Sequence, residues 1–295
     1  LLAPGYGTLN PYFGRFASSP ATSVLGDAAA QQPTFFSLWI GTSDMLGFAT
    51  GGGMGDTITG QGSFGFFMNS VLQAITAGGA KGVIANIPDI ASSPFFTTVP
   101  PNGYVLEQWQ ADTLNQFLEP LGFQYQAGPN YFIVEDANSP LGFRQMTEGE
   151  YLLLTVPQDS LKCKFWGGYD VNAPSALEMP QPIPSQYVLD AQEVAAITGA
   201  IDGYNQTIAM LADQYDLALV DINTFMADAA AGVSFDGETI STAFITGNAF
   251  STDGLHMTPK GNAMVANLFI EAINKKFGST IPMVSTTHYR ANIIP

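Results

Sequence analysis

Apolar positions along the chain fall into short continuous runs that alternate with helical periodicities. Residues 35–40, Phe-Phe-Ser-Leu-Trp-Ile, follow Thr34 and stop at Gly41. A near-continuous apolar run ended by a turn residue predicts a strand buried on both faces. Residues 81–88 repeat the pattern and end at Pro88, and residues 217–222 form a third such run. Between them the spacing switches to three and four. A helix is expected over 21–32. Another is expected over 64–77, with Phe67, Val71, Leu72 and Ile75 on one face. A third covers 106–118, where Leu106, Trp109, Thr113 and Phe117 share a face. The longest runs over 189–215, with Val194, Ile197, Ile201, Tyr204, Ile208, Leu211 and Tyr215 in line. The last helix has unusually explicit ends. Thr258 is its N-cap, Pro259 its first residue, Lys275 and Lys276 its last-turn cations and Gly278 its stop.

Strands that alternate with helices predict an α/β fold, in which a parallel sheet is covered by helices on both faces as a three-layer α/β/α sandwich. Residues 122–188 break that rhythm. They hold candidate strands at 131–134 and 151–156 and the prolines Pro174, Pro180, Pro182 and Pro184. They read as an insertion within a single domain spanning 1–295.

Composition narrows the chemistry. Of 295 residues 46% are hydrophobic and only 12% charged, with a net charge of −16. Such a chain repels phosphate backbones, so nucleic acid is excluded as a partner. No apolar run is long enough for a membrane span. A weakly charged polar surface suits neutral ligands such as sugars or lipid esters. The single cysteine, Cys163, excludes an internal disulfide framework and a cysteine zinc site, and it reads as an inert thiol. No His, Asp and Glu cluster has metal-ligand spacing, so neither metal nor cofactor is expected. Gly51-Gly52-Gly53 with Gly55 lacks the Lys-Ser/Thr of a phosphate loop and reads as a flexible turn. Asp89, after Pro88, reads as a turn cap. His288 reads as a surface or packing residue of the tail.

The remaining histidine carries the chemistry. Ser251-Thr252-Asp253-Gly254-Leu255-His256 places a carboxylate three residues before an imidazole, just ahead of the last helix. At that spacing Asp253 can hold one ring nitrogen while the other takes a proton from a nucleophile. Gly41-Thr42-Ser43-Asp44 closes the first strand, where a glycine permits a sharp turn. Either segment alone is also an ordinary turn or cap. Both fall at the carboxyl ends of expected parallel strands, where α/β sheets bind ligands.

Together, Gly41 to Asp44, the strand ending Asn86-Ile87-Pro88-Asp89, and the block from Asp253 through Thr258 and Gly261 resemble three landmarks of the SGNH (GDSL-type) esterases and lipases, in the family's order. The resemblance implies ester hydrolysis through a Ser-His-Asp triad, with His256 as general base and Asp253 as its orienter. It makes Gly41 and Ser43 the oxyanion candidates, although Ser43 stands where the family carries Asn. A small-molecule, glycan or lipid ester is the implied substrate, and Phe95 and Phe96 are candidates for lining its pocket. The family's Gly-Asp-Ser nucleophile block is absent. Gly26-Asp27-Ala28 comes closest, but with Ala at the nucleophile position and inside an expected helix. The expectation is therefore an N-terminally incomplete domain whose serine resides on a peptide outside these residues, with a place for another parallel strand beside 35–40. The competing reading is a non-catalytic ligand- or carbohydrate-binding protein on the same fold.

Overall fold

A computed structural model describes residues 10–163, 166–169 and 180–292. Pro174 and the Cys163 side chain, both singled out above, lie outside the described residues. The chain is a mixed α/β structure. Its parallel sheet has three strands, β1 (Phe35–Leu38), β2 (Lys81–Ala85) and β9 (Ala218–Val220), in the order β1-β2-β9. Phe36 aligns with Gly82 and Leu38 with Ile84, while Ile84 aligns with Leu219 and Ala85 with Val220. Helix α1 (Val24–Ala30) precedes β1 in the sequence, and α2 (Ser43–Thr50) and α3 (Gln61–Thr76) lie between β1 and β2. Helix α7 (Ala191–Gln214) precedes β9, and α8 (Ile222–Ala231) and α9 (Pro259–Phe277) follow it.

The central strand β2 shows why the sheet is stable. Its side chains alternate between two cores. Ile84 joins Met45, Phe64, Met68, Leu72, Tyr204 and Ile208 from α2, α3 and α7. Val83 and Ala85 join Ala218, Val220, Met226, Met264 and Val265 on the side of α8 and α9. Val83 and Ile84 are both fully buried, and each such side chain contributes about 1.5–3 kcal/mol. Gly82 has to be glycine for a packing reason, because a Cβ there would stand 2.5 Å from the Phe36 ring.

The outer strand β1 differs from expectation. It is not buried on both faces: Phe35 is 41% exposed and Trp39 36%. Phe35 meets Phe277, and Trp39 meets Phe269, on the α9 side, while Phe36, Leu38 and Ile40 pack on the opposite core. Among the described residues no strand pairs with the edge of β1 that faces away from β2. Phe66 and Phe67 of α3 are also exposed, so the buried face of α3 is Phe64, Met68, Val71, Leu72 and Ile75, without Phe67.

Residues 99–188 build a separate layer with two apolar clusters of their own. Its strands pair locally and antiparallel: β3 (Tyr104–Leu106) with β4 (Gly128–Asn130), β5 (Ile133–Glu135) with β6 (Phe143–Gln145), and β7 (Tyr151–Leu152) with β8 (Val188–Leu189). Helix α5 (Gln108–Leu118) turns Ala111, Leu114 and Leu118 inward, whereas Trp109 and Phe117 face outward, the reverse of the sequence expectation. Glu150 is buried and receives two hydrogen bonds from the Arg144 guanidinium, which also meets Asp136. A short antiparallel hairpin, β10 (Val233–Phe235) and β11 (Glu238–Ile240), precedes the loop that carries His256.

Candidate active site

The loop over 251–257 is wound around one carboxylate. Asp253 Oδ1 accepts from the Ser251 hydroxyl at 2.7 Å and from the Leu255 and His256 amides at 2.9 Å each. Its Oδ2 lies 2.7 Å from His256 Nδ1. Burial alone would push this carboxyl up. The Leu255 amide, the Ser251 hydroxyl, and the His256 amide and ring outweigh it and hold the group well below the usual carboxylate range. With Nδ1 turned to an ionised carboxylate, the imidazole is set to donate there and to present Nε2 as acceptor. The His256 side chain is 83% exposed.

The segment that follows fixes the loop. Thr258 is buried. Its hydroxyl donates to Asn248 O at 2.7 Å and accepts from the Gly261 amide at 3.0 Å, capping α9 as expected. Gly261 is required because a Cβ would lie 2.3 Å from Ala249 O. The loop is also tied sideways, since the Phe95 amide donates to Gly254 O at 3.1 Å.

His256 lines a cleft of about 1070 Å³ at the carboxyl end of β1 and β2. The same cleft is lined by Gly41, Thr42, Ser43 and Asp44. The structure thus brings the two sequence-predicted segments to one concavity. Gly41 has φ +118° and turns β1 into α2, whose first residue is Ser43. Ser43 is exposed, and its hydroxyl makes no hydrogen bond among the described residues. Trp39, Ile40, Leu46, Phe64, Phe67, Met68 and Val71 give one wall of the cleft an apolar lining.

Phe95 and Phe96 are not part of it. Both are buried, in edge-to-face contact with centroids 5.1 Å apart in the core of α2, α3 and α7, and Phe96 also faces Tyr151. Neither lines the cleft, and their expected role as pocket lining is corrected to core packing; the Phe95 amide ties them to the loop through Gly254 O. His288 lies away from the cleft, exposed beside Asp236.

Sequence reasoning missed the opposite rim. It is carried by the chain just after β2, where Pro88, Asp89, Ile90 and Ser93 line the cleft. Ile87 leads into it and has no strand partner, yet its backbone is satisfied by side-chain amides. Asn205 of α7 accepts from Ile87 N at 2.8 Å and donates to Ile87 O at 2.9 Å, and Asn223 of α8 donates to the same oxygen at 3.0 Å. Asp89 caps the 3-10 turn Ile90–Ser92 through the Ala91 amide at 3.0 Å, as its turn-cap reading expected. Although exposed to the cleft, it is crowded by protein on its other sides, and this desolvation raises its carboxyl above the ordinary value.

Among the described residues, no group of His, Cys, Asp and Glu is placed to hold a metal, and no helix is long and apolar enough to cross a membrane. Comparison of the chain with protein-family models, with curated proteins and with solved structures gave no match, so the cleft's own residues are what define its chemistry.

Proposed function

We propose that this chain is the His-Asp half of an SGNH-type ester hydrolase, with its helices and parallel sheet forming that family's three-layer α/β/α plan. The observation that carries the reading is the Asp253–His256 pair: a carboxylate loaded with four hydrogen bonds and held to one imidazole nitrogen, on the rim of a cleft that also receives the N-terminus of α2. A serine hydroxyl placed against Nε2 would attack an ester carbonyl and pass its proton to His256. Asp253 would stabilise the imidazolium, and the proton would then go to the leaving alcohol. The α2 N-terminus, with Gly41 ahead of it and the Ser43 hydroxyl on it, supports an oxyanion site, because helix N-termini favour developing negative charge.

The nucleophile in this reading is a serine on a polypeptide segment outside residues 1–295. Two features support it. No Gly-Asp-Ser occurs in the sequence. The outward-facing backbone groups of β1 have no strand partner among the described residues, while Phe35, Trp39 and Phe67 stand exposed around that edge. A parallel strand added there would cover them and end beside the cleft. Ester hydrolysis by the intact protein is the test. His256→Ala is expected to lower turnover by roughly three orders of magnitude or more on short-chain model esters. Equal rates for wild type and His256→Ala would remove His256 from the chemistry. The second reading, a binding protein without catalysis, is favoured by the exposure of His256 and by Ser43 in place of Asn. It predicts no hydrolysis across acyl lengths but retained ligand binding.

A further inference from the structure

We infer that Asp89 and Ser93 form a hydroxyl-binding subsite in the cleft, which makes the ligand an ester whose alcohol part is a sugar or another polyol. The substrate class rests on the hydrolase reading; the subsite itself does not.

Ser93 carries the inference. The residue is only 7% exposed, and its Oγ is buried without a hydrogen-bond partner among the described residues. A buried hydroxyl left unpaired is costly, and native structures keep few of them. The position does not explain it as a cap. Ser93 is the N-cap of α4 (Pro94–Thr97), but its side chain caps nothing, and the Phe95 and Phe96 amides it could receive go to Gly254 O and Ser93 O instead. The other such atom, Tyr125 Oη, belongs to the apolar cluster around α5 and lines no part of the cleft. Ser93 does line it.

Asp89 adds the second group. One of its oxygens accepts from Ala91, and the other accepts from nothing among the described residues. A carboxylate accepts only, so a ligand there must donate. A hydroxyl both donates and accepts. A ligand hydroxyl can therefore give its proton to Asp89 while its oxygen, or that of a neighbouring hydroxyl, takes the proton of Ser93. An anionic ligand group fails this requirement, and the chain's net charge of −16 disfavours it further.

The subsite is built on fixed ground. Asn205 and Asn223 clamp Ile87 on one side, and the Phe95 amide holds Gly254 on the other. The Ser93 turn is thereby joined to the loop carrying His256. A hydroxylated alcohol group seated on Asp89 and Ser93 would place its acyl oxygen next to that loop, with the apolar wall at Phe64, Met68 and Val71 left for the acyl chain.

Binding separates the subsite from catalysis. The intact protein is titrated with methyl β-glucopyranoside, glycerol and their O-methylated analogues, followed by ligand-observed NMR. Wild type is expected to bind a hydroxylated probe and to lose at least tenfold in affinity for the O-methylated form. Ser93→Ala is expected to weaken binding roughly three- to tenfold and Asp89→Asn roughly tenfold or more, the ordinary scale for neutral and charged hydrogen bonds. Ser93→Ala should also leave the thermal midpoint of the ligand-free protein unchanged or raised, which a structurally bonded hydroxyl would not allow. Binding in a protein that hydrolyses no ester would keep the subsite and reject the hydrolase. Equal binding by wild type and both variants, no preference for hydroxylated over O-methylated probes, or no binding of either probe would overturn the subsite.

Discussion

Gly41→Ala tests whether the turn that presents α2 to the cleft depends on glycine. Gly41 adopts φ +118°, a conformation L side chains rarely take. A Cβ would stand 2.5 Å from Ile87 Cδ1 and 3.0 Å from Phe64 Cε2. Neither neighbour can retreat easily. Ile87 is fully buried with its backbone clamped, and Phe64 is stacked on Tyr204 with centroids 4.0 Å apart. Backbone strain of this kind costs about 1–3 kcal/mol, and overpacking about as much again. The expected loss is roughly 2–6 kcal/mol in urea unfolding. A second substitution separates the two contributions. Ile87→Val removes the offending Cδ1 and alone costs about 0.5–1.5 kcal/mol. In the Gly41→Ala background it should cost less, or stabilise, giving a coupling of about 1 kcal/mol in the double-mutant cycle. Strict additivity would refute the steric contact. A Gly41→Ala loss below about 1 kcal/mol would refute the strain as well.

Two further outcomes follow from titratable groups. Burial raises Asp89, so the folded state resists its ionisation, and the stability lost as pH rises through that raised value is returned by Asp89→Asn. Thermal unfolding should show Asp89→Asn more stable than wild type at pH 7, with the gain shrinking as pH falls toward the ordinary carboxylate value of about 4 and vanishing below it, where Asp89 is protonated in both states. In the layer over 99–188, Arg144→Met strips the partner from buried Glu150 and should cost about 3–5 kcal/mol. A loss under 1 kcal/mol at neutral pH in denaturant titrations would show that the Thr147 and Ala191 amides suffice for Glu150.

What the sequence disclosed follows the range of the interactions. The start of α9 was legible because Thr258, Pro259 and Gly261 fix it within four residues. The Asp253–His256 contact was legible because the loop itself sets the spacing. The long helix α7 was legible too, and its start sharpens to the Asp190–Glu193 capping box. Burial was misread where no described residue covers a surface. Phe35, Trp39 and Phe67 have the composition of core residues, but the edge they surround carries no strand here. The face of α5 was misread because large aromatics at regular spacing outweighed the smaller Ala111 and Leu114 that pack inward. Ser93 carried no signal of its own, and Asp89 carried only that of a turn cap. They meet the loop carrying His256 through the Phe95–Gly254 hydrogen bond, a contact between distant parts of the chain that periodicity cannot express.

The order of the strands bears on how the chain is made. Strand β2 sits between β1 and β9 and is apolar on both faces, but everything from Asn86 to Leu217 must leave the ribosome before β9 can reach it. Until then β2 presents an unsatisfied edge, a template for pairing with other chains. The local hairpins of the intervening layer can form early, because their partners are close in sequence. Once Tyr151 pairs with Leu189, the start of α7 is held near the sheet, and the loop left to close is far shorter. Translational pausing ahead of Ala218 would lengthen the life of the open edge, and aggregation during synthesis should be most acute there.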